Sequence, residues 1–321
     1  MKRFPLTALT AALALAPLLG HAEAFPEKPI TFVVPFAAGT ATDQIARALG
    51  TQITAETKQA VVIDNRAGAS GFIASQNVAK APADGYTVLI TTNTTHAANE
   101  HLFKKLPYDP VKDFAPVAAL GKGGQIMVVN PTFPAKSVAE FIALAKKEPG
   151  KYSFGSGSSS SRMAGELLQQ MADIKLLHVP YKSNTLAVTD LLGGQINMMI
   201  TDTATGLPQV KAGKLRALGF SSSARSPLAP DVPTIAEAGV KGYEMGYWFA
   251  AYAPAKTPPA VVKRLNELLV KAAKSEAAKT AFYEPTGTEV FTSSPEERAK
   301  FQAGESQKWG RIVKTAGIEA E

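Results

Sequence analysis

From Ile30 to Thr91 the chain alternates short β-branched runs with amphipathic or alanine-rich stretches. Ile30-Thr31-Phe32-Val33-Val34 has no polar interruption except one threonine and reads as a buried strand. Asp43 to Thr54 follows, with Ile45, Ala46, Ala48, Leu49 and Ile53 falling on one helical face. Ala60 to Ile63 is a second strand, Gly71 to Lys80 a short helix, and Tyr86 to Thr91 a third strand. A β-α-β-α-β order requires parallel pairing with crossover helices, hence a layered α/β sheet.

The texture changes at Gly121-Lys122-Gly123-Gly124, which reads as a flexible connection into a strand at Ile126 to Val129. Ser137 to Lys147 is a helix with Val138, Phe141, Ile142 and Leu144 as its buried side and Ser137 as cap. Lys151 to Phe154 leads into a serine cluster. Helices at Gly165 to Met171 and Leu186 to Leu192 alternate with strands at Leu176 to Tyr181, Ile196 to Thr201 and Leu215 to Phe220. A second crossing falls near Gly246-Tyr247-Trp248-Phe249. Pro258 to Ala273 is a long helix with proline in its first turn, and Glu296 to Thr315 is a final amphipathic helix. Two crossings divide the chain into lobe one, residues 25–122 plus 248–321, and lobe two, residues 123–247. Such a double crossing is a hinge able to close a cleft. No solenoid-type repeat is visible.

Residues 1–24 carry the marks of a secretory signal peptide. Lys2 and Arg3 precede an apolar stretch from Leu6 to Leu19, and Ala22-Glu23-Ala24 supplies a small-x-small cleavage site. The apolar run falls short of the roughly 20 residues that span a bilayer, which argues against an anchor. Cysteine is absent from all 321 residues, so disulfides, thiolate metal sites, thiol catalysis and a lipidated N-terminal cysteine are excluded. An exported, freely diffusing chain points to the periplasm. The net charge of +7 is scattered without any run of five or six like charges. A nucleic-acid partner is therefore poorly supported; the field favours anions by steering alone.

Three segments carry candidate chemistry. Pro35-Phe36-Ala37-Ala38-Gly39-Thr40-Ala41-Thr42-Asp43 joins a strand to a helix. Small residues there let backbone approach a ligand, and a helix start offers unpaired N–H groups at the positive end of its dipole. The same residues also read as an ordinary strand–helix turn capped by Thr42 or Thr40. Asp43 would repel a bound anion, so it either orients amides or water or caps the helix. Gly155-Ser156-Gly157-Ser158-Ser159-Ser160-Ser161-Arg162 repeats the arrangement, with hydroxyl donors and a planar cation suited to carboxylate. The competing reading is a polar loop with Arg162 paired to Glu166 one turn on. Thr91-Thr92-Asn93-Thr94-Thr95-His96 and Asp202 lie at strand ends, where ligands of α/β sheets sit. His96 reads more simply as a structural hydrogen-bonding residue, and Asp202 equally as a turn or cap residue.

Enzyme motifs are missing. Gly68-Ala69-Ser70-Gly71 has the wrong spacing for a nucleophile elbow, there is no Walker loop, and the Gly155 segment lacks the third glycine of a dinucleotide fingerprint. His96, His101 and His178 show no metal-ligand spacing. A hydrolase using the serine cluster would need a base positioned at one of its serines.

Ordered segments along nearly the whole mature part resemble the Bug (TctC-like) family of tripartite tricarboxylate transporter receptors. They include Phe25-Pro26-Glu27-Lys28-Pro29-Ile30, Val34-Pro35-Phe36, Thr42-Asp43 with Ala46-Arg47, and Val62-Ile63-Asp64-Asn65-Arg66-Ala67-Gly68-Ala69. Further along come Ala83-Asp84-Gly85-Tyr86-Thr87, Pro107-Tyr108-Asp109, Val179-Pro180-Tyr181-Lys182, Leu192-Gly193-Gly194-Gln195 and Val232-Pro233-Thr234. The resemblance implies a type II periplasmic-binding-protein fold, two lobes each with a central sheet flanked by helices and a ligand cleft between them. It implies a receptor without enzymatic turnover or cofactor, most simply a monomer. The ligand would be a di- or tricarboxylate or an aromatic carboxylate, delivered to a membrane permease of large and small subunits. A sensing role through a membrane sensor kinase is the alternative.

In that family two strand-to-helix loops grip one carboxylate through main-chain amides. They match Ala38, Gly39, Thr40, Thr42 and Asp43, and Ser156, Ser158, Ser159 and Ser160. Thr92, Arg162 and Asp202 complete the expected ligand-binding set; no metal ligands are expected. Three departures from the family pattern bear on the substrate: Thr40 replaces a glycine, Ser183 follows Tyr181-Lys182 in place of another, and Ser161 or Arg162 stands where a histidine is usual.

Overall fold

The computed structural model describes residues 25–315 and 317–320; the signal segment expected at residues 1–24 lies outside them. The strands are β1 Ile30–Val34, β2 Val61–Asn65, β3 Thr87–Thr92, β4 Phe114–Val129, β5 Ser153–Ser156, β6 Leu177–Pro180, β7 Met198–Asp202, β8 Arg216–Phe220 and β9 Gly246–Pro254. The helices used below are α1 Ala41–Thr57, α2 Phe72–Ala79, α3 Asn99–Leu102, α4 Val138–Lys147, α5 Ser159–Ala172, α6 Asn184–Leu192, α7 Thr203–Lys211, α8 Pro259–Lys274 and α9 Pro295–Thr315.

Hydrogen bonding runs β2-β1-β3-β9-β4-β7-β5-β6, with β8 also on β4. In the first sheet β1 is parallel to β2 and β3, while β9 is antiparallel to β3. In the second, β5 is parallel to β6 and β7. The long strand β4 belongs to both. Its first part pairs with β9 as far as Gly124↔Gly246, and from Gln125↔Asp202 onward it pairs with β7, with β8 on its other edge.

Each sheet is covered on both faces, and the alternation of side chains decides which helix each residue meets. Along β4, Ile126 and Val128 pack with Leu191 and Leu207 of α6 and α7, whereas Met127 and Val129 join Phe141 and Leu168 of α4 and α5. In the first sheet Phe32 and Val34 pack with Ile45, Leu49, Leu265 and Leu269 of α1 and α8; Val33 and Leu89 face Ala74, Val78 and Trp309. The burial of α8 at Val262, Leu265, Leu268, Leu269, Ala272 and Ala273 follows the helical period.

The expected flexible connection at Gly121–Gly124 is instead the middle of β4, and Gly246–Phe249 opens β9. The glycines serve close packing. A Cβ on Gly123 would stand 2.6 Å from the Tyr247 hydroxyl, and one on Gly124 2.7 Å from Ser222 Cβ. Glycine clusters signal missing side chains as readily as loose backbone. Among the described residues no helix is long and apolar enough to cross a membrane.

The last helix is pinned to the crossing strand by an unusual contact. Arg298 of α9 is fully buried with its guanidinium 4.1 Å from the Trp248 ring and 4.9 Å from that of Phe301. Trp248 Nε1 donates to Glu305 at 3.0 Å. Stacking of this kind lets a cation sit against apolar surface.

Candidate functional site

Where the two sheets meet, a narrow cavity is walled by Phe36, Thr40, Ala41, Thr42, Thr92, Gln125, Gly157, Ser158, Ser160, Asn184, Asp202, Tyr247 and Phe249. The starts of α1, α5 and α6 reach it through Ala41, Ser160 and Asn184, and Asp202, the carboxylate that caps α7, lines it as well. Each helix start carries roughly half a positive charge from its unpaired amides. Several converging starts therefore make the cavity attractive to an anion without a cationic side chain.

The first turn is held by a buried carboxylate. Asp43 Oδ2 accepts from the Gly39 amide at 2.9 Å and from Arg47 Nε at 3.0 Å; Oδ1 accepts from Asn65 Nδ2 at 3.0 Å. Burial opposes the charge, but the Arg47, Gly39 and Asn65 hydrogen bonds outweigh it and hold the carboxyl below its ordinary value. Asp43 thus orients the loop. Ala38 and Gly39 are exposed at the turn, outside the cavity wall. Thr40 is the N-cap but makes no side-chain cap bond, because its hydroxyl donates to Ala37 O at 2.8 Å. The α1 amides of Ala41, Thr42 and Asp43 lie in the first turn, where no intrahelical acceptor exists.

The second turn is held by a neutral hub that sequence reasoning missed. Asn184 Oδ1 accepts from the Gly157 amide at 2.9 Å and the Ser161 hydroxyl at 3.1 Å, while Nδ2 donates to Asp202 Oδ2 at 3.0 Å. Gly157 is obligatory, since a Cβ there would lie 1.9 Å from the Ser183 carbonyl carbon. Ser158 caps α5 by accepting from the Ser161 amide at 3.2 Å. Asp202 caps α7, accepting from the Thr205 amide at 2.8 Å. The signal for Asn184 was a strand–helix junction rich in cap residues; Gln125, Tyr247 and Phe249 offered none, because long-range pairing brings them in.

Helical spacing sorts the remaining serines. Ser160 faces the cavity, whereas Ser159 and Arg162, three residues apart, share a neighbouring open crevice with Ser156, His178 and Lys182. Ser159 Oγ donates to Asn99 Oδ1 at 2.8 Å, a bond between α5 and α3. Arg162 lies 3.8 Å from Glu166. Thr92 is on the cavity wall, its hydroxyl accepting from the Thr94 amide at 3.2 Å.

His96 is away from the cavity wall. It is fully buried and stacked on Tyr252 at 3.9 Å, with Nδ1 bonded to Thr95 Oγ1 at 2.8 Å. Burial and then the nearby charge of Arg298 push its pKa well down, so it is a neutral structural residue. Among the described residues no group of three or more His, Asp or Glu could hold a metal ion.

Residues 45–318 match the family model described as tripartite tricarboxylate transporter family receptor. The chain belongs to this family. A protein from the tcbD-tcbE intergenic region of Pseudomonas sp. strain P51 is 37% identical over 294 residues, covering 91% of this chain and 87% of that one. Rpa4515 of R. palustris, solved with adipate, superposes with a TM-score of 0.89 at 35% identity, covering 92% of this chain and all of the other. The periplasmic binding protein BugD superposes at 0.88 with 31% identity, covering 92% of this chain and 100% of that chain. The chain is thus a periplasmic solute-binding receptor with the α/β two-lobe fold, and not an enzyme. A hydrolase would have wanted the Ser156 Oγ–His178 Nε2 contact of 2.7 Å. Here it is a side-chain bond between the adjacent strands β5 and β6.

Proposed function

We propose that this receptor captures a small organic carboxylate in the cavity between its lobes and presents it to a membrane permease of large and small subunits. The observation that carries the reading is the convergence of the uncapped α1 start and the serine-lined α5 start on one cavity. Amides of residues 41–43 and 159–160 hold one carboxylate, with Thr42, Ser158 and Ser160 hydroxyls beside it. Thr40, Thr92 and Asp202 line the same space. Gly39, Asp43, Ser156 and Ser159 act as positioning residues. The adipate held by a relative of the same fold supports a short organic acid as cargo.

The lobes divide at Lys122/Gly123 and Tyr247/Trp248, near the point where β4 exchanges β9 for β7. Ligand that touches both lobes stabilises the closed state, because only closure makes both sets of contacts. The receptor works as a monomer and takes no nucleic acid.

A thermal-shift and calorimetric screen of the mature chain against linear di- and tricarboxylates and aromatic acids tests this. At least one acid binds one to one and raises the melting temperature; ligand at 100 times its Kd adds about 2.7 kcal/mol. If sugars or neutral amides stabilise the chain and no carboxylate does, the reading fails.

A further inference from the structure

The cavity wall presents two kinds of polar group. Beside α1 and α5 it presents donors. On the strand side it presents Gln125 and Asp202, which are paired directly across β4 and β7 and so lie on one face of the sheet. Gln125 is 1% exposed, and its Oε1 has no hydrogen-bond partner. Its backbone is already used, the amide donating to Ser221 Oγ at 2.6 Å and the carbonyl accepting from the Ser221 amide at 2.8 Å. Only the side-chain amide is left for recognition. Leaving a buried amide oxygen unpaired forfeits its hydration without return, and a ligand donor restores it.

Charge points the same way. Among the described residues on the cavity wall there is no Lys, Arg or His, and Asp202 is the sole carboxylic acid. Asp202 accepts one bond each from the Thr205 amide, Asn184 Nδ2 and the Thr201 hydroxyl at 2.8, 3.0 and 3.4 Å. A carboxylate has about four acceptor positions, so it keeps capacity for a ligand donor. A second ligand carboxylate placed there would meet like charge in a buried space. Arg162 and Lys182, which would offset it, line the separate crevice beyond Ser158. The apolar walls, Phe36, Phe249 and the Tyr247 ring, supply no donor either. The Tyr247 hydroxyl is held between Thr203 and Thr288 at 3.1 and 3.0 Å, and burial raises its pKa to about 12.

We infer that Gln125 and Asp202 read the far end of the ligand as a hydrogen-bond donor, so that the receptor prefers a monocarboxylate carrying a terminal hydroxyl, amide or ammonium group to the matching dianion. The inference rests on the carboxylate-receptor reading and narrows its ligand class.

The test is a calorimetric ranking at two chain lengths. The four-carbon set is butyrate, 4-hydroxybutyrate, 4-aminobutyrate, succinamate and succinate; the six-carbon set is hexanoate, 6-hydroxyhexanoate, 6-aminohexanoate, adipamate and adipate. At the length that fits, one or more donor-bearing acids bind at least tenfold tighter than both the plain acid and the dianion. In Gln125→Met the preference for donor over plain acid shrinks at least fivefold. The wild-type ranking stands as a test by itself if that variant does not fold. The inference is overturned if the dianion binds tightest, or if Gln125→Met weakens every ligand equally. Failure of the underlying receptor reading looks different: no acid at either length, and none in the wider screen, binds the folded protein.

Discussion

The two turns that face the cavity meet the same need by different means. Both must hold a glycine-containing strand–helix junction rigid while leaving helix amides free. The α1 turn uses a charge: Asp43, buried, with Arg47, Asn65 and the Gly39 amide consuming its lone pairs. The α5 turn uses a neutral amide, Asn184, and a steric fit at Gly157. A buried carboxylate near an anion site is better tolerated when a cation balances it, and Arg47 does so for Asp43 at 2.9 Å. The neutral hub has no such debt, but it depends on contact so close that one methyl group breaks it. The first turn should be sensitive to charge and the second to shape.

Three experiments put that contrast under strain. The largest effect is expected for Gly157→Ala. The new Cβ would collide with backbone at Ser183 and Asn184, and overpacking of this sort costs about 1–3 kcal/mol in stability. Because the displaced backbone carries Asn184, whose side chain holds the α5 turn, affinity for the tightest acid of the screen should drop by roughly 100-fold or more. A variant that binds normally would show that the second turn is not held by shape.

The next comparison sets Asn184→Ala beside Arg47→Ala. Removing Asn184 leaves the Gly157 amide and the Ser161 hydroxyl without their acceptor, a loss of about 1–3 kcal/mol, so Kd rises about 5- to 100-fold. Removing Arg47 leaves its partner carboxylate intact but unbalanced; its half-exposed position limits the loss to a few-fold, on the order of 1 kcal/mol. Titration calorimetry on both variants ranks them, and a larger loss for Arg47→Ala would reverse the contrast.

The smallest effect is in pH. Asp43 has a folded-state pKa below its unfolded value, because the Arg47, Gly39 and Asn65 bonds outweigh the burial that opposes its charge. Its contribution is therefore complete above the unfolded value near 3.9 and is lost as pH falls through the lower, folded one. Urea midpoints of wild type and Asp43→Asn, measured from pH 6 to pH 3, should begin to approach each other below about pH 4. A gap of constant width would mean the carboxylate is not charged in the folded chain.

Local signals carried most of what the chain said in advance. Helical periodicity located α1 with Ile45, Leu49 and Ile53 inward, and Ser137 was legible as a cap, which it is, accepting from the Glu140 amide at 3.1 Å. The tension of a carboxylate next to an anion site pointed to Asp43 as an organiser of amides. The glycine run at 121–124 misled, because a glycine chosen to admit Tyr247 or Ser222 looks in sequence like one chosen for flexibility. Arg162 was singled out for its chemistry, yet its helical phase sets it in the outer crevice with Ser159. Gln125 drew no notice; its role follows from a register with Asp202 made across the sheet.

Much of the order of strands and helices (though not α7, β9 or the first part of β4), the two polar strand–helix turns and the family of receptors were written in the linear pattern, since each depends on neighbours a few residues apart or on motifs read in order. Which amides, rings and acids share one cavity was decided by the tertiary structure alone. That choice depends on β4 changing partners between Gly124 and Gln125. Strand pairing across tens of residues is set by burial on both faces of the sheet, and a one-residue shift would send every side chain to the opposite face.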